Sequence, residues 1–242
     1  MYNYEDELKD IEDKYRLIRD RVLGVALGYD HALFLWGKGG TGKSWTVENT
    51  LKKSGKPWSH YNSDISEVGL FEQLKEYYNH IILLEDMEQL MKKPKAIGIL
   101  RSATEGNRKV TRTINKGKDE FIFEGGIIYI SNDPPGAGNP MQALASRMNP
   151  LEFNPTHTEM IAMMYNLSWE FECNLSSNQR METFDYCLKY AKTLSEKALN
   201  LRLIISALKA RERFEKGQLQ TNWKLYLDSY WTGKVKTGFT QP

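Results

Sequence analysis

Cysteine is scarce. Only Cys173 and Cys187 occur in 242 residues, with no CxxC or Cys/His spacing near either. That implies no disulfide framework and no structural zinc site, and leaves reduced thiols of a cytoplasmic protein as the expectation. Long apolar runs are missing too: no stretch approaches the roughly 18 residues of a membrane helix. The opening MYNYEDELKDIEDKYRLIRD is charged where a signal peptide would be apolar. No membrane partner is expected. Excess charge of one sign is likewise absent, since the net balance is +2. Whole-chain electrostatics therefore decide nothing about partners. No internal repeat is found. At 40% hydrophobic, a chain this long can bury one sizeable core plus a smaller satellite.

What is present alternates. Apolar positions at Leu8, Ile11, Tyr15, Leu17, Ile18, Val22 and Leu23 predict an amphipathic helix over 5–27. Strands are expected at 31–36, 58–61, 81–84 and 126–131, with helices at about 44–53, 66–78 and 97–104. Strands apolar on both faces, separated by helices, imply an α/β fold whose parallel sheet is covered on both sides. Val110–Ile114 and Phe121–Phe123 around Asn115-Lys116-Gly117-Lys118 predict a β-hairpin. After Phe153 the pattern turns helical from a capping box, Thr156-His-Thr-Glu159, to about Lys216. In the tail, Trp223, Tyr226, Leu227 and Tyr230 stand at helical spacing and predict a buried stripe. The expected organisation is an N-terminal helix (1–28), a core (29–154), and a helical region with a tail (155–242).

The chemistry is concentrated in LFLWGKGGTGKSW, residues 33–45. Gly37-x-x-x-x-Gly42-Lys43-Ser44, with a strand before and a helix after, is the P-loop pattern. Gly37, Gly39, Gly40, Thr41 and Gly42 would turn backbone N–H groups toward the phosphates of ATP. Lys43 would reach the β- and γ-phosphates, Ser44 would ligate Mg²⁺, and Trp45 would flank the nucleotide. Hydrolysis needs acids at a neighbouring strand end. Ile81-Ile-Leu-Leu-Glu85-Asp86 supplies two, both candidate metal ligands with Ser44, Glu85 by spacing on the metal side and Asp86 toward the attacking water. On the strand ending Ile130-Ser131-Asn132, the Asn132 amide can orient that water without adding charge. The histidines His31, His60, His80 and His157 have no partner at metal spacing, and no chemistry is assigned to them.

In this order the motifs resemble those of the AAA+ ATPases, over roughly residues 31–154 and more loosely beyond. The resemblance implies a three-layer P-loop NTPase core of AAA+ type followed by a small α-helical lid. Gly37–Ser44 look like Walker A, Glu85-Asp86 like Walker B in reversed order, and Asn132 like sensor 1. Ala143-Leu-Ala-Ser-Arg147 is similar to the arginine-finger segment, and Leu199-Asn-Leu-Arg202 to sensor 2. An arginine acting on a neighbour's γ-phosphate implies a homo-oligomeric ring, most often a hexamer in that family.

Residues 91–118 hold nine Lys or Arg against one Glu, a local balance of +8 that the remainder offsets with −6. In related ATPases this segment faces the central pore. Arg108, Lys109, Arg112, Lys116 and Lys118 are the expected contacts to single-stranded DNA. The run from Leu100 through Ile130-Ser-Asn also looks like the superfamily 3 helicases of viruses and plasmids. A DNA motor or helicase in replication, in a phage, virus or plasmid, is the expected function. The alternative is an AAA+ loader or remodeller acting on a partner protein, although 63–70 lacks an aromatic-glycine loop.

Overall fold

The computed structural model describes residues 2–63, 65–115, 117–136, 138–195 and 198–234. In chain order its elements are α1 (Glu5–Ala26), β1 (Ala32–Trp36), α2 (Lys43–Ser54), β2 (Trp58–Tyr61), α3 (Glu67–Glu76), β3 (Ile81–Glu85), α4 (Pro94–Thr104), β4 (Lys109–Ile114), β5 (Gly117–Ile122), β6 (Gly126–Ser131), α5 (Asn139–Ala145), β7 (Pro150–Glu152), α6 (His157–Glu170), α7 (Ser177–Ala191), α8 (Arg202–Glu215) and α9 (Trp223–Thr232). They fall into two compact units, one of residues 12–154 and one of residues 1–11 with 155–242.

In the first unit five strands form a sheet in the order β2-β3-β6-β1-β7, every neighbouring pair parallel. This is the α/β fold expected from the doubly apolar strands. Ala32 and Phe34, Ile82 and Leu84, and Ile127 and Tyr129 face a core shared with α3, α4 and α5. The alternate residues Leu33, Leu35, Ile81, Leu83, Ile128 and Ile130 are equally buried. Ile18, Val22 and Val25 of α1 and Val47 and Leu51 of α2 are buried as well. Truncating such a residue to alanine costs about 2–5 kcal/mol. Because parallel strands point one way, the residues following β1, β3 and β6 lie along one edge of the sheet, where α/β folds place ligands.

Two elements went unforeseen, and two boundaries moved. α5 and β7 are too short to show periodicity; β7 is held by pairing with β1 through Phe34–Trp36. α4 begins at Pro94 rather than Ile97, since proline is well suited to the first helical position. The hairpin is tighter than expected, its strands pairing from Lys109 with Ile122 to Ile114 with Gly117. Gly117 takes a φ of 141°, a value that L side chains rarely adopt.

The hairpin has two unlike faces. Val110, Arg112, Asp119 and Phe121 turn inward. Phe121 meets the Phe71 ring of α3 edge-on at 5.2 Å. The Arg112 guanidinium lies 4.3 Å over that ring and pairs with Glu72 at 2.6 Å and Asp119 at 3.3 Å, while Lys75 holds Asp119 at 2.6 Å. These cations hold the Asp119 carboxyl below its ordinary pKa, the Lys75 hydrogen bond foremost. Outward stand Lys109, Thr111, Thr113, Lys118, Glu120 and Ile122.

The second unit is helical. Its core gathers Phe184, Cys187, Leu208, Trp223 and Leu227, with Tyr4 packed against it. The expected capping box at Thr156 and Glu159 opens α6, and a second one, Ser176 and Gln179, opens α7. Arg180 donates to the carbonyls of Ser168, Phe171 and Cys173 at 2.8, 3.0 and 2.7 Å, satisfying backbone groups where α6 ends. Burial pushes the Cys187 thiol up, so it stays protonated, and both cysteines are free. The expected tail stripe is narrower than four residues: Trp223 and Leu227 are buried, but Tyr230 is 63% exposed. Among the described residues no helix is long and apolar enough to cross a membrane.

Candidate nucleotide-binding site

The glycine loop is built for backbone display. Gly37, Gly40 and Gly42 have φ of 143°, 70° and 88°. At Gly37 a Cβ would run into the Phe153 carbonyl; at Gly42 it would come within 3.0 Å of Tyr15 Oη. Asn154 Oδ1 accepts the Lys38 N–H at 3.0 Å, and Thr41 Oγ1 donates to Lys38 O at 2.9 Å. Below the loop, Tyr15 Oη donates to Thr41 O at 2.6 Å. Such a cradle, closed by the first turn of α2, concentrates N–H groups and the positive end of a helix dipole.

Lys43 is 4% exposed, and its Nζ donates to Gly37 O at 2.6 Å and Lys38 O at 2.7 Å. An ammonium has three donors, so one is left for a phosphate oxygen. Burial lowers its pKa from 10.5 to about 8, although Asp86 and Glu85 pull it back up. With the folded value below the unfolded one, the unfolded chain binds more protons between these pH values. The contribution of Lys43 to stability therefore rises with pH from about 8 to 10.5.

Ser44 Oγ donates to Glu85 Oε1. Asp86 turns away in a left-handed conformation, φ 53°, its N–H on Ile130 O at 3.3 Å, and its Oδ1 accepts from Asn132 Nδ2 at 3.4 Å. Asn132 Oδ1 would lie 3.3 Å from a Cβ on Gly39, so the amide approaches the glycine loop itself. Ser44, at the start of α2, and Glu85 thus form one pair and Asp86 and Asn132 another, with Glu85, Asp86 and Asn132 at the ends of β3 and β6, which the sheet makes neighbours. The Ser/Glu oxygens suit a hard cation such as Mg²⁺. Trp45 stands 72% exposed on the first turn of α2.

One histidine was misjudged. His60 Nε2 lies 3.0 Å from Glu85 Oε2. The available signal was topological: β2 and β3 are parallel neighbours with His60 opposite Leu83, so a side chain near the end of β2 can meet the acid at the end of β3. Tyr15 and Asn154 lie far from the loop in sequence, and nothing local marked them.

The arginines are placed as follows. Arg147 follows α5, its Nη1 donating to Ala143 O at 2.6 Å and its Nη2 lying 3.5 Å from Glu105. Arg202 begins α8 in the helical unit, exposed, with its N–H on Asn200 Oδ1 at 3.0 Å. Arg108 is spent internally, on the carbonyls of Glu124 and Gly125 and 5.3 Å over the Phe123 ring, and burial lowers its pKa. Arg112 is held in the α3 contact described above. Lys109 pairs with Glu120 at 2.7 Å, and Lys118 is exposed on the outward face. Lys116 lies outside the described residues.

No protein-family model matches the chain. An uncharacterised 36.7 kDa protein from the nrdC–mobD intergenic region of Enterobacteria phage T4 is 26% identical over 145 residues, 54% of this chain and 44% of that protein. The chain thus matches under half the length of that relative. Among solved structures, a RuvB point mutant from Thermotoga maritima aligns with a TM-score of 0.49 at 12% identity, covering 84% of this chain and 69% of that one. The RuvB Holliday junction branch migration motor of the same organism aligns at 0.48 and 12%, over 83% and 68%.

Proposed function

We propose that the chain is a magnesium-dependent ATPase of AAA+ type that works as a homo-oligomeric ring on DNA, in replication or a related transaction of a phage. The observation that carries this reading is the gathering of Lys43, Ser44, Glu85, Asp86 and Asn132 at one edge of the sheet, around the glycine cradle. The phage assignment rests on the T4 relative. In this reading the loop amides bind the α- and β-phosphates, and Lys43 bridges to the γ-phosphate. Ser44 and Glu85 hold Mg²⁺, which when bound offsets charge on the phosphate oxygens. Asp86 accepts a proton from the attacking water, and Asn132 orients it. Arg147 completes a neighbour's site after leaving Glu105, a half-exposed pair worth at most about 1 kcal/mol.

Phosphate favours the charged form of Lys43. At about pH 8, nucleotide binding is expected to take up protons, and affinity is expected to fall as pH rises further. Calorimetry in two buffers of different ionisation enthalpy measures this; equal apparent enthalpies would show that Lys43 is already fully charged before nucleotide binds.

The DNA arm rests on the hairpin tip and its outward face. Single-stranded DNA is expected to stimulate ATP hydrolysis, and Lys116→Ala with Lys118→Ala to remove the stimulation while basal turnover stays unchanged. The log–log salt slope should shrink by about 0.7 per lost phosphate contact. A second reading has its own observation: Ile114 and Ile122, 46% and 59% exposed, stand on the same hairpin as apolar contacts suited to a partner protein. If turnover ignores DNA, the loader or remodeller reading replaces the motor.

A further inference from the structure

The two oxygens of Glu85 face different groups. Oε1 accepts from Ser44, while Oε2 lies 3.0 Å from His60 Nε2. Glu48 stands one helical turn after Ser44 on α2, hence on the same face of that helix. Taking one donor atom from each of Glu48, His60 and Glu85, all three lie within 4.8 Å of one another. A tetrahedral ion with bonds of about 2.0–2.1 Å spaces its ligands about 3.3 Å apart. The His60–Glu85 pair, at 3.0 Å, is already near that spacing, and Glu48 has to close in.

The three residues come from α2, β2 and β3, and each is half-buried. Two carboxylates meet one imidazole. Among the described residues no lysine or arginine forms an ion pair with Glu85, and Lys52 holds Glu48 from the outside at 3.3 Å. An all-oxygen set would suit Mg²⁺ or Ca²⁺; the imidazole shifts preference to borderline transition ions.

We propose that Glu48, His60 and Glu85 form a second cation site, for a divalent ion of the zinc class, next to the Ser44–Glu85 pair and sharing Glu85 with it. Three protein ligands leave a fourth position for water. The site itself stands without the ATPase reading; only its effect on turnover rests on it. There, an ion on Oε2 would draw Glu85 from Ser44 and throttle hydrolysis.

The probe is Co²⁺, titrated into the full chain without nucleotide and in excess Mg²⁺, and followed by its visible d–d absorption and by calorimetry. One equivalent is expected. Its dissociation constant should rise at least about tenfold in both His60→Ala and Glu48→Gln, the range by which even outer-shell changes weaken metal sites. Circular dichroism verifies each fold, and if His60→Ala fails to fold, Glu48→Gln at its half-exposed position decides the matter. Absence of a band, displacement by Mg²⁺, or a folded variant that binds Co²⁺ like the parent overturns the site. ATP turnover is read separately, in Mg²⁺ with no Co²⁺ added: turnover there with no cobalt band in the titration sinks this proposal alone, and a cobalt band with no turnover in Mg²⁺ alone sinks the ATPase reading alone.

Discussion

Lys43→Ala is expected to lower ATP turnover by about 10³-fold, the upper range for removing one preorganised donor from a transition state. The ammonium is nearly enclosed and already anchored by Gly37 O and Lys38 O. Its remaining donor is therefore aimed before any phosphate arrives. Stability should change little by comparison. The variant loses two charge-assisted hydrogen bonds, but it also loses a buried cation that burial holds well below its ordinary pKa. Phosphate release against time, with a thermal melt beside it, separates the two effects. Turnover equal to the parent would end the nucleotide reading.

The second large effect separates the two acids. Asp86→Asn keeps the shape and the contact with Asn132 but removes the base, and is expected to reduce kcat by about 10²–10⁴ with nucleotide affinity kept. Glu85→Gln weakens the oxygen set beside Ser44, so the Mg²⁺ concentration for half-maximal rate should rise by about ten- to a hundredfold. Initial rates across a magnesium series distinguish them. The reverse pattern would show that Glu85 activates the water and Asp86 holds the ion.

Legibility followed the range of the interactions. The sheet could be read because β1, β3 and β6 are apolar on both faces, a local property of each segment. The glycine loop was legible for the same reason: its positive-φ turns demand glycine at fixed short spacing. Short elements without periodicity, α5 and β7, were not, and Tyr230 kept helical spacing while facing solvent. His60 shows the other limit. Its meeting with Glu85 depends on which strands lie side by side, and strand order is decided by packing of the whole unit rather than by residues near either position. The basic segment taught the converse. Counting charge located it, but only the folded contacts showed that Arg108 turns to internal carbonyls and a ring and Arg112 to carboxylates and a ring, while Lys109 and Lys118 stand on the outward face of the hairpin.

The tyrosine beneath the glycine loop has a geometric consequence. A peptide unit is flat and trans, so pinning the oxygen of Thr41 also sets the direction of the next amide hydrogen, on Gly42, which must point the opposite way. Tyr15 contributes no atom to the cradle, yet it acts as a rudder for one of its donors. Any sideways slip of the first helix would steer that donor off its target with no change in the loop's own residues.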